Sequence, residues 1–261
     1  MLSSLNPRIR GVILDMDGVL WKDKQPLVNI PLLFERFNQR GIPFMLATNN
    51  ASRSISQYQE KLSGFGARVE PWNIINSSMA VVYLLKKQFP QGSPVYVVGM
   101  AGLVDQIEEA GFVVTDDQAR AVVVGLDLNF NYDKLRMANN LIRQGAVFIA
   151  TNPDPTYPTP AGLTPGAGSI VAAIETASAT RPTIAGKPNA TMMEIALERL
   201  QTSPLETVCV GDRLDTDILG GQRAGCRTAL VMSGVTTPAE LDQWEPKPDL
   251  IAADVMKLLD E

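Results

Sequence analysis

The chain has 261 residues, 45% apolar and 20% charged, with a net charge of -5, enough for two compact domains that each bury a core. A negative balance with no run of Lys or Arg argues against a nucleic-acid groove or an anionic membrane surface. The absence of histidine removes Ser-His-Asp and Cys-His catalysis, His-ligated zinc and phosphohistidine chemistry, leaving acid-base work to Asp, Glu, Lys, Tyr or Cys.

The N-terminal MLSSLNPRIRG has no signal-peptide apolar region, and no apolar stretch reaches membrane-spanning length, so a cytoplasmic protein is expected. Cys209 and Cys226 sit in apolar contexts and read as buried free thiols, which suits a reducing compartment.

In chain order, residues 11–14 read as a buried strand that leaves the sheet at Asp15. A helix follows over 30–39, stopped by Gly41, and a second strand ends at Thr48, Asn49 and Asn50. Strand, helix, strand with short loops implies a parallel, right-handed unit in which Asp15 and Thr48 face one crevice. Helices are expected from Ser54 to Phe65 and from Trp72 to Lys87. After a turn at 91–94 a second alternation begins: strand 95–99, helix 103–109, strand 121–125, helix 132–144 and strand 146–151. This is a second α/β unit, expected to begin near Val82 and end near Arg181. The domains expected are therefore 1–81 with 182–261, and 82–181. Residues 152–168 carry five prolines and three glycines and read as a structured loop without regular structure, or a linker. A helix over 169–177 follows. The strand 183–186, the helix 190–200, the strand 207–211 and a helix beginning near Asp217 resume the first pattern, with last strands at 228–234 and 249–253.

Asp15-Met16-Asp17-Gly18 can be a simple Asp-Gly turn. Two carboxylates on one loop, however, are not comfortable anions without a cation, which suits one ligand or nucleophile and one acid-base. Gly211-Asp212-Arg213-Leu214-Asp215-Thr216-Asp217 also follows a strand. A helix N-terminus accounts for Asp215 and Asp217. Asp212 leaves its strand as Asp15 does, so the two can share a hard, oxygen-ligated cation such as Mg²⁺. Lys187, in Gly186-Lys187-Pro188-Asn189, is either a solvated loop charge or a counter-charge to phosphate. Thr48 is either buried β-branched bulk or a hydroxyl donor to a phosphoryl oxygen.

DMDGV, ATNNAS, GKPN and GDRLDTDI, in that order, resemble the four motifs of the haloacid dehalogenase superfamily of phosphotransferases. Asp15 to Thr48 spans 33 residues and Thr48 to Lys187 spans 139, which puts the inserted unit between the second and third motifs. That placement resembles the 4-nitrophenylphosphatase and NagD-like subfamily. The resemblance implies a doubly wound, Rossmann-like parallel-sheet core and a C2-type α/β cap over the active site. It implies that Asp15 attacks phosphorus to form an aspartyl-phosphate, and that Asp17 is the general acid and then base. Mg²⁺ would be held by the Asp15 and Asp212 carboxylates and the Asp17 carbonyl, with Asp217 acting through water or as an orienter. Thr48 and the Asn49 amide would bind phosphoryl oxygens, and Lys187 would balance their charge. Asp17 favours phosphate esters over carbon-halogen bonds.

A phospho-acceptor signalling module also uses an Asp, a Thr, a Lys and Mg²⁺, but the inserted unit and the acid Asp17 count against it. A phosphotransferase or mutase passing the phosphoryl group to an alcohol stays open. Specificity is expected on the cap near Asn152, Asp154, Tyr157 and the 160s loop. The partner expected is a small phosphorylated metabolite, a sugar, polyol or nucleoside monophosphate. The cap's strand edge and apolar helices could support a homodimer.

Overall fold

The computed structural model describes every residue except Ser52, Pro160, Ala161 and Glu261, so the ATNNAS serine and two residues of the proline-rich segment lie outside the described residues. The chain separates into two compact units. One comprises Met1–Thr48, Ile55–Ile75 and Lys187–Glu261, the other Asn49–Ser54 and Asn76–Gly186.

The first unit is built on a six-stranded sheet in the order Leu250–Ala252, Arg227–Val231, Thr207–Gly211, Gly11–Leu14, Phe44–Thr48, Ile74–Asn76. Gly11–Leu14 runs parallel to both its neighbours, with Leu14 opposite Val210 and Leu46. All residues of Gly11–Leu14, Phe44–Thr48 and Thr207–Gly211 are buried, which is why these segments are continuous apolar runs rather than alternating ones. The helix Ile30–Gln39 is capped by the Asn29 side chain, which accepts from Leu32 N at 3.1 Å, and packs Leu33, Phe34 and Phe37 inward. The chain leaves Gly11–Leu14 toward one side of the sheet and later returns through Thr207–Gly211 on the other. The carboxyl ends of these two strands therefore flank a topological switch point, where such sheets collect ligands.

The second unit has a five-stranded sheet in the order Thr183–Ile184, Val147–Ala150, Ala121–Val124, Pro94–Val98, Val113–Val114, parallel throughout. Its helices are Ser77–Gln88, Ala101–Glu109, Tyr132–Arg143 and Ala167–Ser178. Val122, Val124, Leu141, Phe148 and Ile174 lie in its core.

Four sequence expectations are corrected. The helix expected from Trp72 begins only at Ser77, after a 3₁₀ turn over Pro71–Asn73 and the strand Ile74–Asn76. A strand of three buried residues leaves no alternation to read, and Asn76 both ends it and caps the helix by accepting from Met79 N at 3.0 Å. The strand Thr183–Ile184 does not resume the first unit's sheet: it pairs with Ile149 and Ala150 of the second. Residues 152–168 are not devoid of regular structure. Thr156–Thr159 and Gly162–Pro165 form an antiparallel ribbon, in which both strands are edges and proline is tolerated. Leu214–Ile218 forms a π-helical turn before the short helix Leu219–Arg223, where one helix near Asp217 was expected.

Among the described residues no helix is long and apolar enough to cross a membrane. Cys209 and Cys226 are buried free thiols.

Candidate active site

Asp15 begins where Gly11–Leu14 ends, its N–H extending the ladder to Val210 O at 2.8 Å. Asp212 follows Gly211 on the adjacent strand, and Thr48 is the buried last residue of the strand on the other side. Parallel register alone brings these three ends together. Asp217 comes from the π-helical turn after Asp212, with its Oδ2 accepting from Arg213 N at 3.1 Å. Ligand oxygens of Asp15, Asp212 and Asp217 all lie within 4.8 Å of one another.

Lys187 points into this cluster and is only 2% exposed. Its Nζ donates to Asp15 Oδ1 at 2.5 Å, Asp217 Oδ1 at 2.6 Å and Ala47 O at 3.0 Å. Burial works against the ammonium, but the two carboxylates outweigh it and hold the Lys187 pKa above its ordinary value. The lysine is therefore a fixed cation. Burial pushes the Asp15 carboxyl well above the carboxylate range, opposed by Lys187 and reinforced by Asp217 and Asp212. The Asp212 carboxyl is pushed up to about 6, first by burial and then by Asp217, against the hydrogen bond from Val235 N.

With all three acids ionised, one lysine leaves an excess of two negative charges in a buried place, a costly arrangement unless a cation answers it. Asp212 makes the demand specific. Its Oδ2 accepts from Val235 N at 2.9 Å, while its buried Oδ1 has no hydrogen-bond partner. An all-oxygen donor set with an orphaned carboxylate oxygen fits a hard divalent cation. Backbone crowds the other side of the same carboxylate. A Cβ built on Gly234 would stand 1.9 Å from Asp212 Oδ2, and one on Gly18 would stand 2.4 Å away. Both positions need glycine because the acid is packed against main chain there.

Asp17 is different in kind. It is exposed, and its Oδ1 accepts from Trp21 Nε1 at 2.8 Å. The Asp17 to Trp21 turn is closed by a backbone bridge and by Gly18 N donating to Trp21 O at 2.7 Å.

The structure thus brings together Asp15, Lys187, Asp212 and Asp217, with Thr48 at the neighbouring strand end. The remaining sequence candidates Asn49, Asn152, Asp154 and Tyr157 belong to the second unit. There Asn152 Nδ2 donates to Asn49 O at 3.0 Å, Asn152 Oδ1 accepts from Asp154 N at 3.1 Å, and Ser77 Oγ donates to Asn49 O at 2.7 Å. Asn152 is 7% exposed, its amide occupied in tying two loops together. Tyr157 is half-buried on the ribbon, opposite Thr164. Sequence reading missed Trp21, the Ala47 carbonyl and the Ser233-Gly234-Val235 loop. The last was signalled only by its place after another strand of the same sheet.

The chain that carries this constellation of Asp15, Asp17, a buried Lys187 and the carboxylates after Thr207–Gly211 is matched by two family models. A haloacid dehalogenase-like hydrolase model covers residues 12–113 and a HAD-hydrolase-like model covers residues 184–258. The chain belongs to the haloacid dehalogenase-like hydrolases, and within them to the NagD-like phosphatases. It is 35% identical over 246 residues to a dihydroxyacetone phosphatase of Corynebacterium glutamicum, covering 94% of this chain and 89% of that one. Among solved structures it is similar to NagD from E. coli K-12, with a TM-score of 0.89 and 34% identity, covering 97% of this chain and 98% of that one. It is also similar to a glycerol phosphate phosphatase from Mycobacterium tuberculosis determined in complex with magnesium, with a TM-score of 0.90 and 32% identity, covering 97% of this chain and 78% of that one.

Proposed function

We propose that this phosphatase, which acts on small phosphorylated substrates, is Mg²⁺-dependent and works through an aspartyl-phosphate on Asp15. The substrates we infer are sugar, polyol or nucleoside monophosphates, with 4-nitrophenyl phosphate as an artificial one. The observation that carries the reading is the buried triad of Asp15, Asp212 and Asp217 paired with the cation Lys187, with Asp212 Oδ1 unanswered among the described residues. Asp15, Asp212 and the Asp17 carbonyl would hold the ion. When bound it supplies positive charge for the phosphoryl oxygens and keeps Asp15 ionised.

The chain's own groups divide the remaining work. An Asp15 oxygen attacks phosphorus as the bond from phosphorus to the ester oxygen breaks, and Asp17 gives its proton to that leaving oxygen. Water then attacks the phosphorus of the aspartyl-phosphate while Asp17 takes a proton from it. The bond from phosphorus to Asp15 breaks and inorganic phosphate leaves. Lys187 holds the attacking carboxylate in one rotamer and balances the charge that gathers there. Asp217, bonded to both Lys187 and Arg213 N, orients the lysine. Thr48 and the Asn49 amide would bind phosphoryl oxygens. Residues 82–181 would serve as the C2-type cap, with Asn152, Asp154 and Tyr157 near the substrate-selecting surface.

The test is turnover of 4-nitrophenyl phosphate with Mg²⁺. Asp15→Asn and Asp17→Asn should each abolish most of it, and a chelator should remove wild-type activity that Mg²⁺ restores. Near wild-type rates in either variant overturn the reading.

A further inference from the structure

We infer that Trp21 is a positioning residue for the acid-base carboxylate: its indole N–H fixes Asp17 Oδ1, leaving Oδ2 as the oxygen that donates the proton. The inference rests on the proposed role of Asp17. A buried indole must satisfy its N–H, so a hydrogen bond alone would be mere structure. What gives it meaning is the acceptor.

Trp21 is fully buried, whereas Asp17 is exposed. An exposed aspartate samples several rotamers, and ordering it costs free energy each time it must be in place. Here the carboxylate is tied at 2.8 Å to a fully buried ring. The ring is held by the Lys61 ammonium 4.1 Å from its centroid and by Phe65 at 5.8 Å. The main chain adds the bridge between Asp17 and Trp21. A cation over the indole face draws electron density from the ring, which strengthens the N–H as a donor. Because the indole nitrogen can only donate, Oδ1 cannot present a proton toward it. Oδ2 has no hydrogen bond among the described residues and is left to carry it. Proton donation then uses one rotamer and one oxygen.

The consequence can be read from leaving groups. Ester oxygens that depart as stable phenolates need little help from an acid, and poorer leaving groups need much. The experiment is kcat/KM for a series of substituted phenyl phosphates, from 4-nitrophenyl to 4-methoxyphenyl phosphate, with Mg²⁺, in wild type, Trp21→Phe, Asp17→Asn and the double variant. Trp21→Phe keeps an aromatic ring between Lys61 and Phe65 and loses the N–H. We expect it to lose about tenfold on the poorest leaving group, a fraction of the 10²–10⁴-fold available to a general acid. On 4-nitrophenyl phosphate it should lose much less, which steepens the dependence on leaving-group basicity. Asp17→Asn should steepen it further, and Trp21→Phe should add nothing in that background.

An equal loss across the series, or an additive loss in the double variant, shows a structural tryptophan and overturns the inference while leaving Asp17 intact as the acid. A flat dependence in Asp17→Asn removes the acid role itself, and the inference with it. Should Trp21→Phe not fold, 3-benzothienylalanine at position 21 replaces the N–H with sulfur in a ring of nearly the same shape, and must give the same steepening.

Discussion

Each of the two parallel sheets ends in a polar cluster, and the two clusters are built to opposite ends. In the six-stranded sheet the groups beyond the strand ends are three buried carboxylates and one lysine, with a carboxylate oxygen left unbonded. In the five-stranded sheet the residues beyond Val147–Ala150 are Thr151 and Asn152, and Asn152 spends both its amide donor and its carbonyl on Asn49 O and Asp154 N. The first cluster holds an unmet electrostatic demand, which is what a site for an ion and a phosphoryl group requires. The second centres on the Asn152 amide, whose hydrogen bonds hold loops. Position at a strand end does not distinguish them; the balance of charge does.

The comparison breaks most sharply at Asp15. Asp15→Asn should lower kcat on 4-nitrophenyl phosphate by about 10⁴-fold or more, as removal of a nucleophile does, and failure to trap an acid-stable phosphoenzyme from rapid-quench wild type would count against covalent catalysis. Lys187→Met removes the only cation paired with these acids in the described cluster and should cost about 3–5 kcal/mol in metal-free denaturant melts, since it strands buried charge. A smaller cost would mean that water screens the cluster. Gly234→Ala forces Asp212 aside and should cost about 10²-fold in turnover, the scale of a displacement of about 1 Å near the chemistry. Its melting temperature should fall less than that of Lys187→Met.

Asp212→Asn sharpens the point, because burial and Asp217 both disfavour the Asp212 anion. The metal-free variant should melt at or above the wild-type temperature at pH 7, yet lose the stabilisation that added Mg²⁺ gives wild type. A variant still stabilised by Mg²⁺ would place the ion elsewhere. The smallest effect on chemistry belongs to the other cluster. Asn152→Ala should cost about 1–3 kcal/mol of stability through the lost hydrogen bonds to Asn49 O and Asp154 N, while 4-nitrophenyl phosphate turnover is nearly kept. Collapse of kcat there would erase the contrast between the clusters.

Much of this was legible before the fold. Apolar runs ending at Asp15, Thr48 and Asp212 announced strands that release their polar residues on one edge, and a chain without histidine left acids to do the chemistry. The short strand Ile74–Asn76 was not legible, because three buried residues have no period. Nor was the pairing of Thr183–Ile184, since which sheet a two-residue strand joins depends on the partner it meets. Trp21 carried no reading in the sequence; the fold buries it, and only its Nε1 atom reveals the link to Asp17.

The order of motifs and the residue types of the site are therefore properties of the sequence alone, because strand periodicity and charge inventory are local. What tertiary structure alone decided is how those groups are answered. Parallel register set Asp15 beside Asp212, Lys187 closed on two of the three acids, and Gly18 and Gly234 let main chain press against Asp212 on one side while its other oxygen stayed unpaired. Those are distances between segments far apart in the chain, and no pattern within a single segment encodes them.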